Sequence, residues 1–155
     1  MKAPARSARA SKLETDLHAA AAALISVLER IEPERWTHVP SSSVWSVGKD
    51  AAHVAEAAVY HQWIVRLTIG EKVSSRRPVM ERRELTTAMT VEQAVALIRQ
   101  RTEEGQALIS SLSDGLLALP TRPPRARGEV LADTIACVLI GHYDAHRRDI
   151  ERKLR

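Results

Sequence analysis

The chain has no Phe, two Tyr and three Trp in 155 residues, one Cys and six Gly. A core without phenylalanine must be packed from aliphatic and small side chains, and 23 Ala and 15 Leu supply them. Too few aromatic and turn-forming residues remain for a sandwich or barrel, whereas the excess of strong helix formers favours helices. The single cysteine, Cys137, excludes an internal disulfide framework and a Cys-based zinc site. It falls in an apolar stretch near the C-terminus and reads as a small hydrophobe at a solvent-poor position. No apolar run reaches the ~18 residues of a membrane span. Glu14, Asp16 and His18 interrupt any signal-peptide stretch behind the basic first ten residues. These absences lead us to expect a cytoplasmic protein with a disordered tail over residues 1–10 and one domain over residues 11–155.

Four segments carry helical periodicity. The first opens at Ser11, where Ser11-Lys12-Leu13-Glu14 has the form of a capping box. Leu13, Leu17, Ala20, Leu24, Val27, Leu28 and Ile31 then recur on one face, and Pro33 ends the segment. The second runs from about Ser46 to Ile69, with Gly70 placed to close it. It is apolar on most faces, the mark of a helix buried on several sides. A second capping box, Thr90 to Gln93, opens the third, which reaches to about Leu112. Residues 113–128, with Pro120, Pro123 and Pro124, form a connection to the fourth, from about Glu129 to Leu154. Four amphipathic helices of this length predict an all-α fold, a four-helix bundle.

The net charge is +4, with a sequence pI near 9.6. The basic residues are scattered in groups at Arg76-Arg77, Arg82-Arg83, Arg122 to Arg127 and Arg147 to Arg155. Three groups fall in connections and one at a helix C-terminus, where cations suit the helix dipole. No helix carries a one-sided Arg/Lys stripe of the kind a groove reader uses, so nucleic acid is not the expected partner.

The six histidines are the unusual part of the inventory. In the fourth segment the apolar stripe Leu131, Ile135, Val138, Leu139 continues into His142, His146 and Ile150. His142 and His146 are an i, i+4 pair, so both imidazoles can reach one ion. His53 shares an apolar face of the second helix with Glu56, Ala57, Tyr60, Ile64 and Leu67, at about 100° per residue. His61 lies about 80° round from it, and its role is open. His18 faces away from the stripe of the first helix, and His38 lies in a linker. A histidine on an apolar face is ordinarily a core residue bonded to a carbonyl or carboxylate, and that reading stands beside metal binding. A divalent ion shared by three imidazoles would nevertheless satisfy three nitrogens whose burial is otherwise costly.

Geometry constrains the metal reading. His53 sits roughly 10 Å from the start of its helix and His146 roughly 12 Å from the end of its own. They come level only if those two helices run antiparallel. Up-down-up-down order would instead offset them by about 10–15 Å along the axis. A three-histidine site therefore demands up-down-down-up order, which needs a long crossover between helices two and three. Residues 71–89 are long enough to provide it.

The segment from Trp45 to Glu56, WSVGKDAAHVAE, resembles the WS-x-x-E-x-x-x-H opening of the second helix in DinB/YfiT-like proteins. The segment from Gly141 to Ile150, GHYDAHRRDI, resembles their closing H-x-x-x-H helix. The likeness runs in order from about residue 11 to 155. One departure stands out: Lys49 occupies the place of the motif's acidic residue, with Asp50 beside it. The resemblance implies a divalent metal, nickel or zinc with manganese and iron as further candidates, held by His53, His142 and His146. It also implies dimers, and relatives that include thiol-dependent transferases and isomerases using mycothiol or bacillithiol.

Three protein ligands leave a fourth position open, as in catalytic zinc sites. The expected function is then metal-assisted attack by a low-molecular-weight thiol or water on a small electrophile. Glu56, one turn beyond His53, is the candidate for orienting a ligand or moving a proton, against the plainer reading of a surface carboxylate. Tyr60, Tyr143, Trp36, Trp45 and Trp63 read as packing residues. The alternative function is a non-catalytic, stress-associated module with a structural metal, whose basic surface meets DNA or an acidic partner.

Overall fold

A computed structural model describes residues 7–41, 43, 45–74, 89–122 and 130–155. The elements in order are α1 (Ala8–Leu28), α2 (Pro33–Trp36), α3 (Val47–Thr68), α4 (Val91–Ser110), α5 (Asp114–Leu117) and α6 (Leu131–Thr134). A π-helical stretch (Ile135–Ile140) follows α6 and leads directly into α7 (Gly141–Leu154). The fold is all-α. The only extended pairing among the described residues is one bridge between Pro120 and Val130. No described helix is long and apolar enough to cross a membrane.

The helix starts follow local chemistry, with one departure from expectation. Ser46 caps α3 by accepting from the Lys49 backbone N–H. Thr90 and Gln93 form the expected reciprocal capping box of α4. The first helix instead begins at Ala8, capped by Ser7, whose side chain accepts from the Ala10 N–H. Ser7 is buried and its hydroxyl also donates to Asp114, so a tertiary contact selects this cap over Ser11. Ser11 then lies inside the helix and bonds back to the Ser7 carbonyl. Residues 1–6 of the expected tail lie outside the described residues. Pro33 does not end α1, which closes at Leu28; it opens the short α2, where its missing N–H costs nothing. Gly70 follows α3 with φ 81°, as the expected C′ residue.

The expected face of α1 is the one that packs: Leu13, Leu17, Ala20, Leu24, Val27, Leu28 and, beyond its end, Ile31 are all buried. Side-chain pairs give the relative directions. Leu17 lies against Gly105 and Glu29 pairs with Arg99, so α1 and α4 run antiparallel. Trp36 joins Gly48 of α3 to Met89 before α4, and Gln62 donates to the Arg101 carbonyl, so α3 and α4 run parallel. Asp50 meets Lys153 and His53 meets His146, so α3 and α7 run antiparallel. That last relation is the one the three-histidine argument required. Most of the expected crossover, residues 75–88, lies outside the described residues, as do residues 123–129 of the second connection.

Small side chains let α3 sit close to its neighbours. Ala51, Ala52, Ala55 and Ala58 are at most 1% exposed. The last helical rod departs most from its expected regularity. The Gly141 N–H reaches back five residues to the Ala136 carbonyl, a π-type bond. The wider turn changes the angular phase, and Ile140 and Tyr143 join Leu131, Ile135, Leu139 and Ile150 in the core. Cys137 is exposed, against its reading as a solvent-poor hydrophobe. It stands between the buried Ile135 and Leu139, two residues from each, and so on the far side of the rod from them.

Among the described glycines, Gly48 has the closest neighbours. A β-carbon there would stand 2.8 Å from Trp36 Cε2 and 3.1 Å from the Trp36 carbonyl oxygen. Trp36 cannot yield easily, because it is buried and its indole N–H donates to the Met89 carbonyl at 2.8 Å. Gly48→Ala should therefore destabilise by about 1–3 kcal/mol despite alanine's better helix propensity. That corresponds to a fall in Tm of roughly 3–10 °C by thermal unfolding. An unchanged or raised Tm would show that the Trp36 contact is loose.

Candidate metal centre

Two helices bring the expected histidines together. His53 lies just past the second turn of α3, and His142 and His146 lie on successive turns of α7. Each offers one ligand nitrogen, and the three nitrogens lie within 4.8 Å of one another. Ring centroids are 5.0 Å apart for His53–His142 and for His53–His146, and 4.4 Å apart for His142–His146. The i, i+4 spacing supplies one pair, and the antiparallel packing of α3 on α7 supplies the third ring.

The donor set suits a metal. His142 Nε2 is enclosed and has no hydrogen-bond partner among the described residues. Burial first, and then the neighbouring His146, His61 and His53, push the His142 imidazole down from its ordinary 6.5 to about 3. It is therefore neutral near pH 7, the form that offers a lone pair to a cation. An enclosed ring nitrogen with no partner is costly in an apolar setting, and a shared divalent ion would meet that need. The three histidines could hold a metal ion.

Other residues close round them. His61 is buried, with its ring 5.1 Å from that of His142, which places it beside the cluster although not among the three grouped ligands. Trp45 is more than a packing residue at the helix start. Its ring meets His53 edge-on at 5.0 Å and stacks on His146 at 6.3 Å. The Lys49 ammonium lies over the Trp45 ring, 4.9 Å from its centroid. Lys49, the departure from the family motif, thus covers the indole at the edge of the cluster. Glu56 is buried, which rules out the plain surface-carboxylate reading. Tyr143 is a packing residue as expected: it is buried, and its hydroxyl lies 3.3 Å from that of Thr102. Trp36 is likewise core, while Tyr60 and Trp63 stack together half-buried. His18 and His38 are exposed.

Asp50 and Lys153 were not among the expected site residues. Asp50 is 3% exposed, and its carboxylate accepts from His146 Nδ1 at 3.2 Å and from the Lys153 ammonium. Burial alone would raise the Asp50 carboxyl, but those hydrogen bonds and the nearby positive charge outweigh it and hold the group below the ordinary carboxylate range. A signal for both residues existed. Asp50 precedes His53 by three residues, and Lys153 follows His146 by seven, so each shares a helical face with a ligand. A cavity of about 330 Å³ opens beside them, lined by Ser43, Trp45, Asp50, His146, Asp149, Arg152 and Lys153.

An all-α protein with three histidines gathered from two antiparallel helices is the class that fold and site define. Residues 16–150 match the family model of the DinB superfamily, and the chain belongs to that superfamily. No curated protein and no solved structure matches it.

The perturbed groups set a pH dependence for the metal-free protein. Unfolding returns His142 to about 6.5 from about 3, so the unfolded chain binds the extra proton. The stability tied to its neutral form is full above about pH 6.5 and is lost as pH falls toward 3. Asp50 acts in the same direction lower down, below about pH 3.9. With chelator present, wild-type stability should fall from pH 7 to pH 4 more steeply than that of His142→Gln. The excess slope is at most about 1.4 kcal/mol per pH unit, read by denaturant titration. Parallel curves would mean that His142 is not buried in its neutral form.

Proposed function

We propose that the chain is a divalent-metal-dependent enzyme, a thiol S-transferase or a hydrolase acting on a small electrophilic molecule. The observation that carries this reading is the placing of the cluster. His146, one of the three donors, is itself a wall of the cavity, so the cluster borders a space large enough for a small ligand. A structural metal site is ordinarily closed by four protein ligands, whereas three donors beside a cavity leave room for a reactant.

A divalent ion held by His53, His142 and His146 would supply Lewis acidity, making a thiol or water nucleophilic near neutral pH. The residues of the chain would do the rest. Trp45 offers an aromatic face, and Asp149, Arg152 and Lys153 give the cavity mouth both signs of charge. In the reaction the new sulfur–carbon or oxygen–carbon bond forms as the leaving group departs with its electron pair. Glu56, buried one turn beyond His53, is the carboxylate we assign to ligand orientation or proton transfer. The family resemblance favours nickel or zinc, a mycothiol- or bacillithiol-type co-substrate and a homodimer, and we place the protein in the cytoplasm from its sequence. No observation favours the DNA- or acidic-partner reading. Arg76-Arg77, Arg82-Arg83 and Arg125 and Arg127 lie outside the described residues.

Protein purified without chelator should carry one divalent ion per chain by elemental analysis. His142→Ala should weaken binding by more than the about 10–100-fold typical of losing a group behind a ligand. Affinity should also fall below about pH 6.5, because imidazoles must shed their protons to bind. Wild-type protein that cannot be loaded with zinc, nickel, manganese or iron would overturn the reading. The enzymatic half is tested by incubating loaded protein with an electrophilic probe and mycothiol, bacillithiol, glutathione or water alone. Turnover with a thiol or water that is absent in His142→Ala is expected. Loaded protein inert in every assay would leave a non-catalytic metal-binding module.

A further inference from the structure

We propose that Asp50, pinned by Lys153, is a positioning residue that determines which nitrogen of His146 faces the histidine cluster. The inference rests on the metal-centre reading for its purpose, but on separate geometry for its evidence.

An ionised carboxylate only accepts hydrogen bonds. The 3.2 Å contact between Asp50 Oδ1 and His146 Nδ1 therefore requires the hydrogen to sit on Nδ1. A neutral imidazole with its hydrogen on Nδ1 carries its lone pair on Nε2. Asp50 thus selects one of two tautomers and turns the other nitrogen of His146 into the donor. A carboxylate free to swing could not do this reliably, but Asp50 is not free. Its second oxygen accepts from the Lys153 ammonium, and the same ammonium donates to the Trp45 carbonyl at 2.9 Å. Asp50 and Lys153 have side chains only 4% and 14% exposed. The same ring is also stacked by the Trp45 indole, with an interplanar angle of 11°. Three segments are thereby tied at one point: the turn before α3, the first turn of α3 and the last turn of α7. Carboxylates behind metal-binding histidines fix tautomer and ring orientation in this way, and their loss commonly weakens binding about 10–100-fold.

The first test needs no metal. In chelated wild-type protein at about pH 8, where ordinary imidazoles are neutral, nitrogen-15 NMR should show His146 with its hydrogen on Nδ1. The signal is assigned by its loss in His146→Gln. A hydrogen on Nε2 would overturn the proposal. Second, Asp50→Ala should shift His146 toward the Nε2–H form and weaken zinc binding about 10–100-fold in competition with a chromophoric chelator. Lys153→Met, which leaves the carboxylate in place but unanchored, should produce a smaller loss. If Asp50→Ala does not fold, the near-isosteric Asp50→Asn supplies the same comparison, because its amide no longer imposes an acceptor on Nδ1. Unchanged tautomer and affinity in a folded variant would reject the role of Asp50 and leave the metal centre standing. Wild-type protein that binds none of zinc, nickel, manganese or iron would reject the metal centre, while the tautomer measurement would still decide the role of Asp50.

Discussion

A positive charge on His142 would be buried, and it would face three other imidazoles at centroid distances of 4.4–5.1 Å. Burial and that crowding together hold the ring neutral, and neutrality is what leaves it a lone pair to give. The rest of the structure is arranged round this constraint. Two helices must run antiparallel so that His53 comes level with His142 and His146. Their backbones must also approach closely, since an imidazole reaches only a few ångströms from its helix.

Composition and packing meet at this second requirement. A core of Phe would hold helices apart, whereas Ala51, Ala52, Ala55 and Ala58 bring α3 against its neighbours with almost no side chain between. Gly48 and Gly105 extend the same economy of volume, one beneath Trp36 and the other against Leu17 and Gln62. The π-helical turn before Gly141 adjusts the phase of the last rod, so that Tyr143 enters the core while His142 and His146 keep facing α3. Polar links then secure the two ends of the assembly. Ser7 meets Asp114 at one, and Asp50, Lys153 and the Trp45 carbonyl meet at the other.

Much of this was legible from the chain. The seven aliphatic positions from Leu13 to Ile31 recur with the helical period, and each is buried, because that period is a local property. Thr90 and Gln93 behave as a capping box for the same reason. The three histidines could be found because i, i+4 spacing and the length of two helices are both arithmetic along the axis. The misses have a common origin. Ser11 lost its capping role to Ser7 through a bond to a residue 107 positions away. Cys137 turned outward, although it sits on a helix whose neighbours were correctly identified. Asp50 was noted only as the neighbour of Lys49; its spacing to His53 gave it a shared face, but Lys153 and His146 arrive opposite it only through packing.

The sequence by itself therefore determined the all-α class, the helical faces and a candidate three-histidine set, because periodicity, capping and spacing act over a few residues. Tertiary structure alone decided which helix wall faces which, how deeply His142 is buried and what stands behind His146. Those outcomes depend on charges and surfaces brought together from distant parts of the chain. Desolvation and the directed hydrogen bond from His146 to Asp50 exist only once α3 and α7 have packed.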